Sequence, residues 1–254
     1  MKVLILIAIL LSCAIVGYLF GSIPNGVIIS KLFFKKDIRD YGSHNSGGTN
    51  VGRVLGKKAG VIVIILDMLK LIIPFIVAIY LFEYNVDIKS YMNPNYNELS
   101  IFGEGNTLNQ LAYFIVPLFA MIGHAYPIFA KFRGGKIVST YAGFDFTTTY
   151  LSFPIMVSTF FITLKAKKYV SLASIFSGVV SGLFAVITFI VYACTFKDHG
   201  QDISNYMMWF FFGPRCCIYY PVFALLCTGL LIFKHKENIK RIANGTESKI
   251  KWMK

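Results

Sequence analysis

Five long apolar stretches constrain this chain before anything else does. Residues 3–20, 59–82, 108–130, 169–195 and 216–233 are near-continuous runs of aliphatic and aromatic side chains. A helix that crosses a bilayer needs about 17–25 such residues. In hydrocarbon every backbone N–H and C=O must pair internally, so segments of this kind become helices. With 56% hydrophobic residues among 254, little chain is left over for a sizeable soluble domain. The reading is an all-α polytopic membrane helix bundle, a single domain over residues 1–254.

Charge orients the bundle. Residues 31–58 carry seven cations and two aspartates. Lys131, Arg133 and Lys136 form a basic turn, Lys165, Lys167 and Lys168 a second, and the tail from Lys234 is basic again. The loop 83–107 is acidic, and the loop 196–214 is near neutral. Cationic segments stay on the cytoplasmic side. About seven crossings satisfy this, with the N-terminus outside and the C-terminus cytoplasmic. The arrangement requires two short helices between residues 137 and 164, one from Ile137 to about Phe146 and one from about Thr149 to Leu164. A single crossing there would put Lys165–Lys168 outside. The first run reads as a retained helix, broken or tilted near Pro24, because only Lys2 precedes it and no turn-rich segment follows Cys13. Topology accounts for the net charge of +13, so no nucleic-acid partner is expected. Cys13, Cys194, Cys216, Cys217 and Cys227 lie in or beside apolar runs without metal-like spacing, so neither a metal nor a disulfide is expected.

Polar residues inside this apolar frame need a reason. Asp67 and Lys70 fall within the second run, three apart and so on one helix face. Each costs roughly 2.5–3.5 kcal/mol at the bilayer centre, so the pair faces protein. A structural ion pair and a direct functional role both fit. The stretch Gly42–Arg53 is small, polar and glycine-rich, and a helix starts near Lys57 or Lys58. Such a stretch suits an anion, with N–H groups turned inward beside a helix N-terminus. It equally suits a plain turn between membrane helices. Gly123–Lys136 repeats the pattern, with two glycines among cations ahead of a helix. In the tail, His235 and Asn238 share a face if the last helix continues inward. Glu247, among cations, serves to organise them. The positive-inside topology puts all three groups on one face.

Together the three groups resemble the three motifs of the membrane acyl-phosphate:glycerol-3-phosphate acyltransferases, the bacterial PlsY family. The first is matched by Ser22–Pro24, Asp37-Ile38-Arg39 and Gly42–Arg53. The second is matched by Gly123–Lys136, and the third by His235–Lys249. The Asp-x-x-Lys of the second run is also similar. The chain departs from the family at His44 and Ile137, where glycine is usual, and at Gly48 and Ser139, where alanine is common. Arg133 stands in place of lysine, and the loops 83–107 and 196–214 are long.

The resemblance implies transfer of a fatty acyl group from acyl phosphate to the sn-1 hydroxyl of glycerol 3-phosphate, with lysophosphatidic acid and phosphate as products. It implies no cofactor and no metal, a monomer in the bilayer, and a site at the cytoplasmic face of the cell membrane. Ser43, Arg53, Lys136, His235 and Asn238 would act directly on the reactants. Gly42, Asn45, Gly47, Gly48, Thr49, Asn50, His124, Gly134, Gly135 and Arg241 would hold phosphates or substrate, and Asp67, Lys70 and Glu247 would be structural. Whether His235 or a substrate phosphate oxygen accepts the hydroxyl proton stays open. The His-x-x-x-x-Asp signature of soluble-type glycerolipid acyltransferases is missing from the sequence, which disfavours the acyl-CoA reaction that uses it. Two other readings are a transporter of an anionic metabolite and a non-catalytic membrane assembly protein. The first lacks an inverted repeat, and the second leaves the three spaced motifs without a purpose.

Overall fold

The computed structural model describes residues 2–85, 88, 108–195 and 217–250. These are helical, with no strand among the described residues. The long loops 83–107 and 196–214 lie almost wholly outside the described residues. Helices α1 (Lys2–Gly21), α2 (Asn25–Phe34), α3 (Gly48–Leu55), α4 (Lys57–Ile79) and α5 (Leu108–Ala125) come first. Then follow α6 (Val138–Thr148), α7 (Ser152–Lys167), α8 (Val170–Thr195), α9 (Tyr219–Lys234) and α10 (Lys236–Ala243). Among the described residues four segments are long and apolar enough to cross a membrane: Val3–Phe34, Lys57–Phe82, Leu108–Ala130 and Val170–Cys194. Tyr219–Lys234 is a shorter apolar helix. The chain is an integral membrane helix bundle, divided into two compact units, residues 1–144 and 145–254.

Three local readings are corrected. Gly42–Arg53 is not loop throughout: Gly48–Leu55 is helical. Thr49, Asn50 and Arg53 therefore project from a helix. The last apolar helix does not run on through His235. It ends at Lys234, His235 takes φ −100° and ψ 6°, and a separate helix starts at Lys236. The helix expected from Ile137 begins one residue later, because Ile137 itself has φ +57°. The break near Pro24 and the pair of helices between 137 and 164 are present as read.

In the first unit α1 packs on α5 and α4. Hydrophobicity does not drive this contact in lipid, so close backbone approach must. Gly17, Gly21 and Gly123 supply it. A Cβ on Gly17 would lie 2.3 Å from the Val116 carbonyl oxygen, one on Gly21 2.0 Å from that of Ala120, and one on Gly123 2.2 Å from that of Tyr18. Beside this seam Phe75, Tyr113, Phe114 and Phe144 form an aromatic cluster, with Phe75 and Phe144 stacked at 6.0 Å. The second unit is laced by hydroxyls instead. Ser152 bridges Thr149 and Tyr220, Ser181 meets Asp145 at 2.6 Å, and Thr228 donates to the Gly178 carbonyl at 3.2 Å.

The glycine seam yields a test. Gly21→Leu forces α1 off α5 and lowers stability in detergent by about 3 kcal/mol. Gly229→Ala, with nothing within 4 Å of the new Cβ, leaves the melting temperature unchanged. A thermal scan of the two purified variants checks both outcomes.

Candidate functional site

The first glycine-rich stretch is folded around one side chain. Asn50, 2% exposed, donates from Nδ2 to the carbonyls of Ile38, Tyr41 and Asn45 at 3.1, 2.9 and 2.9 Å. Its Oδ1 accepts from the Ser43 N–H at 2.8 Å. A buried amide with this many partners holds the backbone's shape. Gly48 also has packing work, since a Cβ there would meet Ile64 at 2.5 Å and the Gly60 carbonyl oxygen at 2.7 Å on α4. Asn45 caps the turn, its Oδ1 accepting from the Gly47 N–H at 2.8 Å. Ser43, Thr49 and Arg53 are exposed, and α3 starts behind Gly47 without a side-chain cap. Its leading N–H groups are therefore a natural partner for an anion.

Ahead of this stretch sits an ionic knot. Asp37 accepts from the Arg39 backbone N–H at 3.1 Å and from the Arg39 guanidinium at 2.9 and 2.7 Å. Lys31 lies 3.1 Å away. Arg39 also donates to the Ala130 carbonyl at 2.8 Å, tying this knot to the second turn. The Arg39 hydrogen bonds hold the Asp37 carboxyl well below the usual carboxylate range, against a smaller opposing effect of burial.

The second turn rests on His124. The Gly135 N–H donates to the His124 carbonyl at 3.0 Å. A Cβ on Gly135 would lie 2.0 Å from the His124 Nε2, and one on Gly134 2.1 Å from the His124 carbonyl oxygen. Only glycine lets the chain lie so close. Lys131, Phe132 and Ile137 all hold positive φ in the same turn, a concentration of backbone strain that often accompanies function. Asn45 reaches across to the Gly134 carbonyl at 3.5 Å, so the two glycine-rich segments meet. Lys136 is half-buried at the end of this turn. Below them His124, 5% exposed, lies 3.7 Å from Asp67.

The third group belongs to the second unit. His235 is buried, and its Nδ1 donates to the Leu231 carbonyl at 2.8 Å. Glu247 gathers the rest. Its Oε1 accepts from Asn238 and from Ser171, each at 2.7 Å, and its Oε2 accepts from Arg241 at 2.7 Å. Burial alone would raise the Glu247 carboxyl, but these hydrogen bonds and the Arg241 charge hold it below its usual range. Ser171 carried no signal in the sequence, nor did the Asn50 clamp or the Arg39–Ala130 link. An Asn or Ser in a polar stretch reads the same whether it faces a ligand or the backbone. Away from these charged groups, an apolar hollow of about 880 Å³ lies between α1 and α4, lined by residues such as Ile9, Val16, Ile73 and Phe82.

Two outcomes follow. His44 is exposed and holds φ +56°, so His44→Gly raises stability by about 1 kcal/mol and leaves substrate affinity unchanged. Thermal unfolding and a KM measurement check this. Asp37→Asn lowers stability, with a defined pH signature. A carboxyl whose folded pKa lies below its unfolded value binds fewer protons when folded. Its contribution is complete above the unfolded pKa, about 4, and is lost as pH falls through the lower folded value. The stability gap between wild type and Asp37→Asn is therefore constant from about pH 5 to 8 and closes only in stronger acid, as unfolding curves across pH will show.

The family described as "Glycerol-3-phosphate acyltransferase" matches residues 11–245. A glycerol-3-phosphate acyltransferase of Staphylococcus carnosus (strain TM300) is 38% identical over 239 residues, 94% of this chain and 96% of the relative. One from Listeria monocytogenes serotype 4a (strain HCC23) is 38% identical over 245 residues, 96% of this chain and 98% of the relative. Two crystal structures of PlsY (YgiH), an integral membrane glycerol 3-phosphate acyltransferase, are also similar. The glycerol 3-phosphate form has a TM-score of 0.68 at 29% identity, covering 95% of this chain and 96% of that one. The lysophosphatidic acid form has a TM-score of 0.66 at 28% identity, covering 95% of each. On a family match over residues 11–245 and a relative 38% identical over 94% of the chain, the chain belongs to the glycerol-3-phosphate acyltransferase family.

Proposed function

We propose that the chain transfers a fatty acyl group from acyl phosphate to the sn-1 hydroxyl of glycerol 3-phosphate, at the cytoplasmic face of the cell membrane. The observation that carries this is the family match over residues 11–245, together with the likeness to solved relatives in glycerol 3-phosphate and lysophosphatidic acid forms. The glycine-rich segments suit a reaction in which both reactants bear phosphate. The reading takes the whole chain as one acyltransferase domain, monomeric, crossing the membrane seven times with its N-terminus outside.

Acyl phosphate is a mixed anhydride and needs little activation. The sn-1 hydroxyl oxygen attacks the acyl carbonyl carbon, a C–O ester bond forms, the bond from that carbon to the phosphate oxygen breaks, and inorganic phosphate leaves. The protein's task is to hold two anions together and to offset the charge growing on the carbonyl oxygen. Ser43, Asn45, Thr49 and the N–H groups around Gly42, Gly47 and Gly48 receive a phosphate. Arg53 and Lys136 pair with substrate phosphates, and Gly134 and Gly135 let the acyl-phosphate head approach the backbone. His235 and Asn238 orient glycerol 3-phosphate by its hydroxyl, with Arg241 beside them and Glu247 bracing both. Asn50, His124, Asp67 and Lys70 act by shaping this setting. The hydroxyl proton passes to a phosphate oxygen of the substrate.

Purified protein given palmitoyl phosphate and labelled glycerol 3-phosphate makes lysophosphatidic acid, while palmitoyl-CoA in a parallel reaction does not serve. Product from the CoA donor alone would overturn the donor assignment. Product from neither donor, with uptake of labelled glycerol 3-phosphate into proteoliposomes, would point to transport. In the same assay His235→Gln lowers kcat/KM by about 10²-fold and keeps the wild-type pH–rate profile. Loss of a limb of that profile in the variant would transfer the proton to His235.

A further inference from the structure

Asp67 and Lys70 lie in the membrane span α4, 1% and 6% exposed. Isolated, each charge would be costly there, yet the pair does more than neutralise itself. Lys70 Nζ sits 3.1 Å from Asp67 Oδ1 and donates to the Ile23 carbonyl at 2.7 Å, at the break between α1 and α2. The same Asp67 oxygen accepts from Asn25 Nδ2 at 3.1 Å, on the first turn of α2, and lies 3.7 Å from His124 Nδ1. One oxygen thus touches three helices.

Two of its contacts, Asn25 and His124, lead to the glycine-rich segments. Next to Asn25, Gly26 packs so closely on the first stretch that a Cβ would lie 1.9 Å from the Ser46 carbonyl oxygen. His124 carries the second turn through the Gly135 N–H and through its ring face under Gly135. Asn25, Ser46, Asp67, Lys70 and His124 line one small polar cavity. We infer that Asp67 and Lys70 are positioning residues for the reaction, a buried hub that sets the register of both glycine-rich segments, acting on the second through His124. A charge pair suits this task. Its geometry is tightly defined in low dielectric, and displacement leaves unpaired charge, which an apolar contact would not penalise.

The test removes both charges at once. Losing one partner strands the other and unfolds the span, whereas neutral residues of similar volume are usually tolerated. D67N/K70M, H124Q and the triple variant are compared with wild type by thermal unfolding, trypsin cleavage and kinetics. Lys131 and Arg133 are exposed, so trypsin reports directly on the second turn. D67N/K70M keeps the wild-type melting temperature within a few degrees, but is cut several-fold faster after Lys131 and Arg133, and loses about 10²-fold in kcat. H124Q shows the same pattern, and the triple variant falls little further, as residues acting through one another should. A pair variant with wild-type cleavage and wild-type kcat would overturn the proposal, as would losses that multiply in the triple variant. Should D67N/K70M fail to fold, H124Q alone carries the test: faster cleavage after Lys131 and Arg133 supports the hub, and unchanged cleavage overturns it. The kinetic arm rests on the acyltransferase reading, whereas the cleavage arm does not. A wild type silent in every assay, with faster cleavage in the variants, would remove the reaction and keep the hub.

Discussion

A chain that lives in lipid cannot leave a polar backbone group bare, and the architecture follows from that. The apolar runs meet the constraint as helices. Gly42–Arg53 and Gly123–Lys136 cannot, because their glycines and strained residues do not form continuous helix. They meet it with side chains aimed at their own backbone. Asn50 satisfies three carbonyls and one N–H. Arg39 reaches the Ala130 carbonyl, and Lys70 takes the Ile23 carbonyl where α1 gives way to α2. Each of these bonds is worth about 1 kcal/mol net when made, but a buried group left without one costs about 1–3 kcal/mol. The polar residues that look like binding groups in the sequence are therefore partly committed to holding the backbone that does the binding.

This division explains what the sequence made legible. Helix positions followed from run length and composition, and the break after Gly21 followed from Pro24, which cannot extend a helix past its first turn. The helix Gly48–Leu55 was hidden because Gly, Thr and Asn have poor helix propensity. It forms through packing, with Gly48 and Gly52 against Gly60 on α4, and tertiary contact overrides propensity. The break at His235 was hidden for the opposite reason. Lys234-His235-Lys236 contains no glycine or proline to mark an end, and the helix stops at His235, whose N–H bonds back to Ile232 and Phe233 while its ring turns to Leu231. Of the residues expected to meet substrate, the exposed Ser43, Thr49 and Arg53 are placed as such residues should be. Asn50 is buried and bonded to its own backbone, and Gly48 packs on α4. No pattern of spacing separates those two fates, because both demand a small polar residue beside glycine.

Two departures from the family turn on the same backbone. Glycine is usual at the positions of His44 and Ile137, and here both hold φ near +56°. The family's preference is thus explained by conformation: a side chain in this region costs about 1–2 kcal/mol. The two positions answer that cost differently. Ile137 is fully buried, and burying a side chain of its size contributes about 1.5–3 kcal/mol, enough to offset the strain. His44 is exposed and has only its Nδ1, 3.1 Å from the Arg39 carbonyl, to set against it. A solvent-facing hydrogen bond is worth about 1 kcal/mol at most. The balance closes at 137 and falls short by up to about 1 kcal/mol at 44. Ile137 therefore belongs to the packing of the second turn, whereas the His44 ring is turned to the Arg39 carbonyl of its own segment.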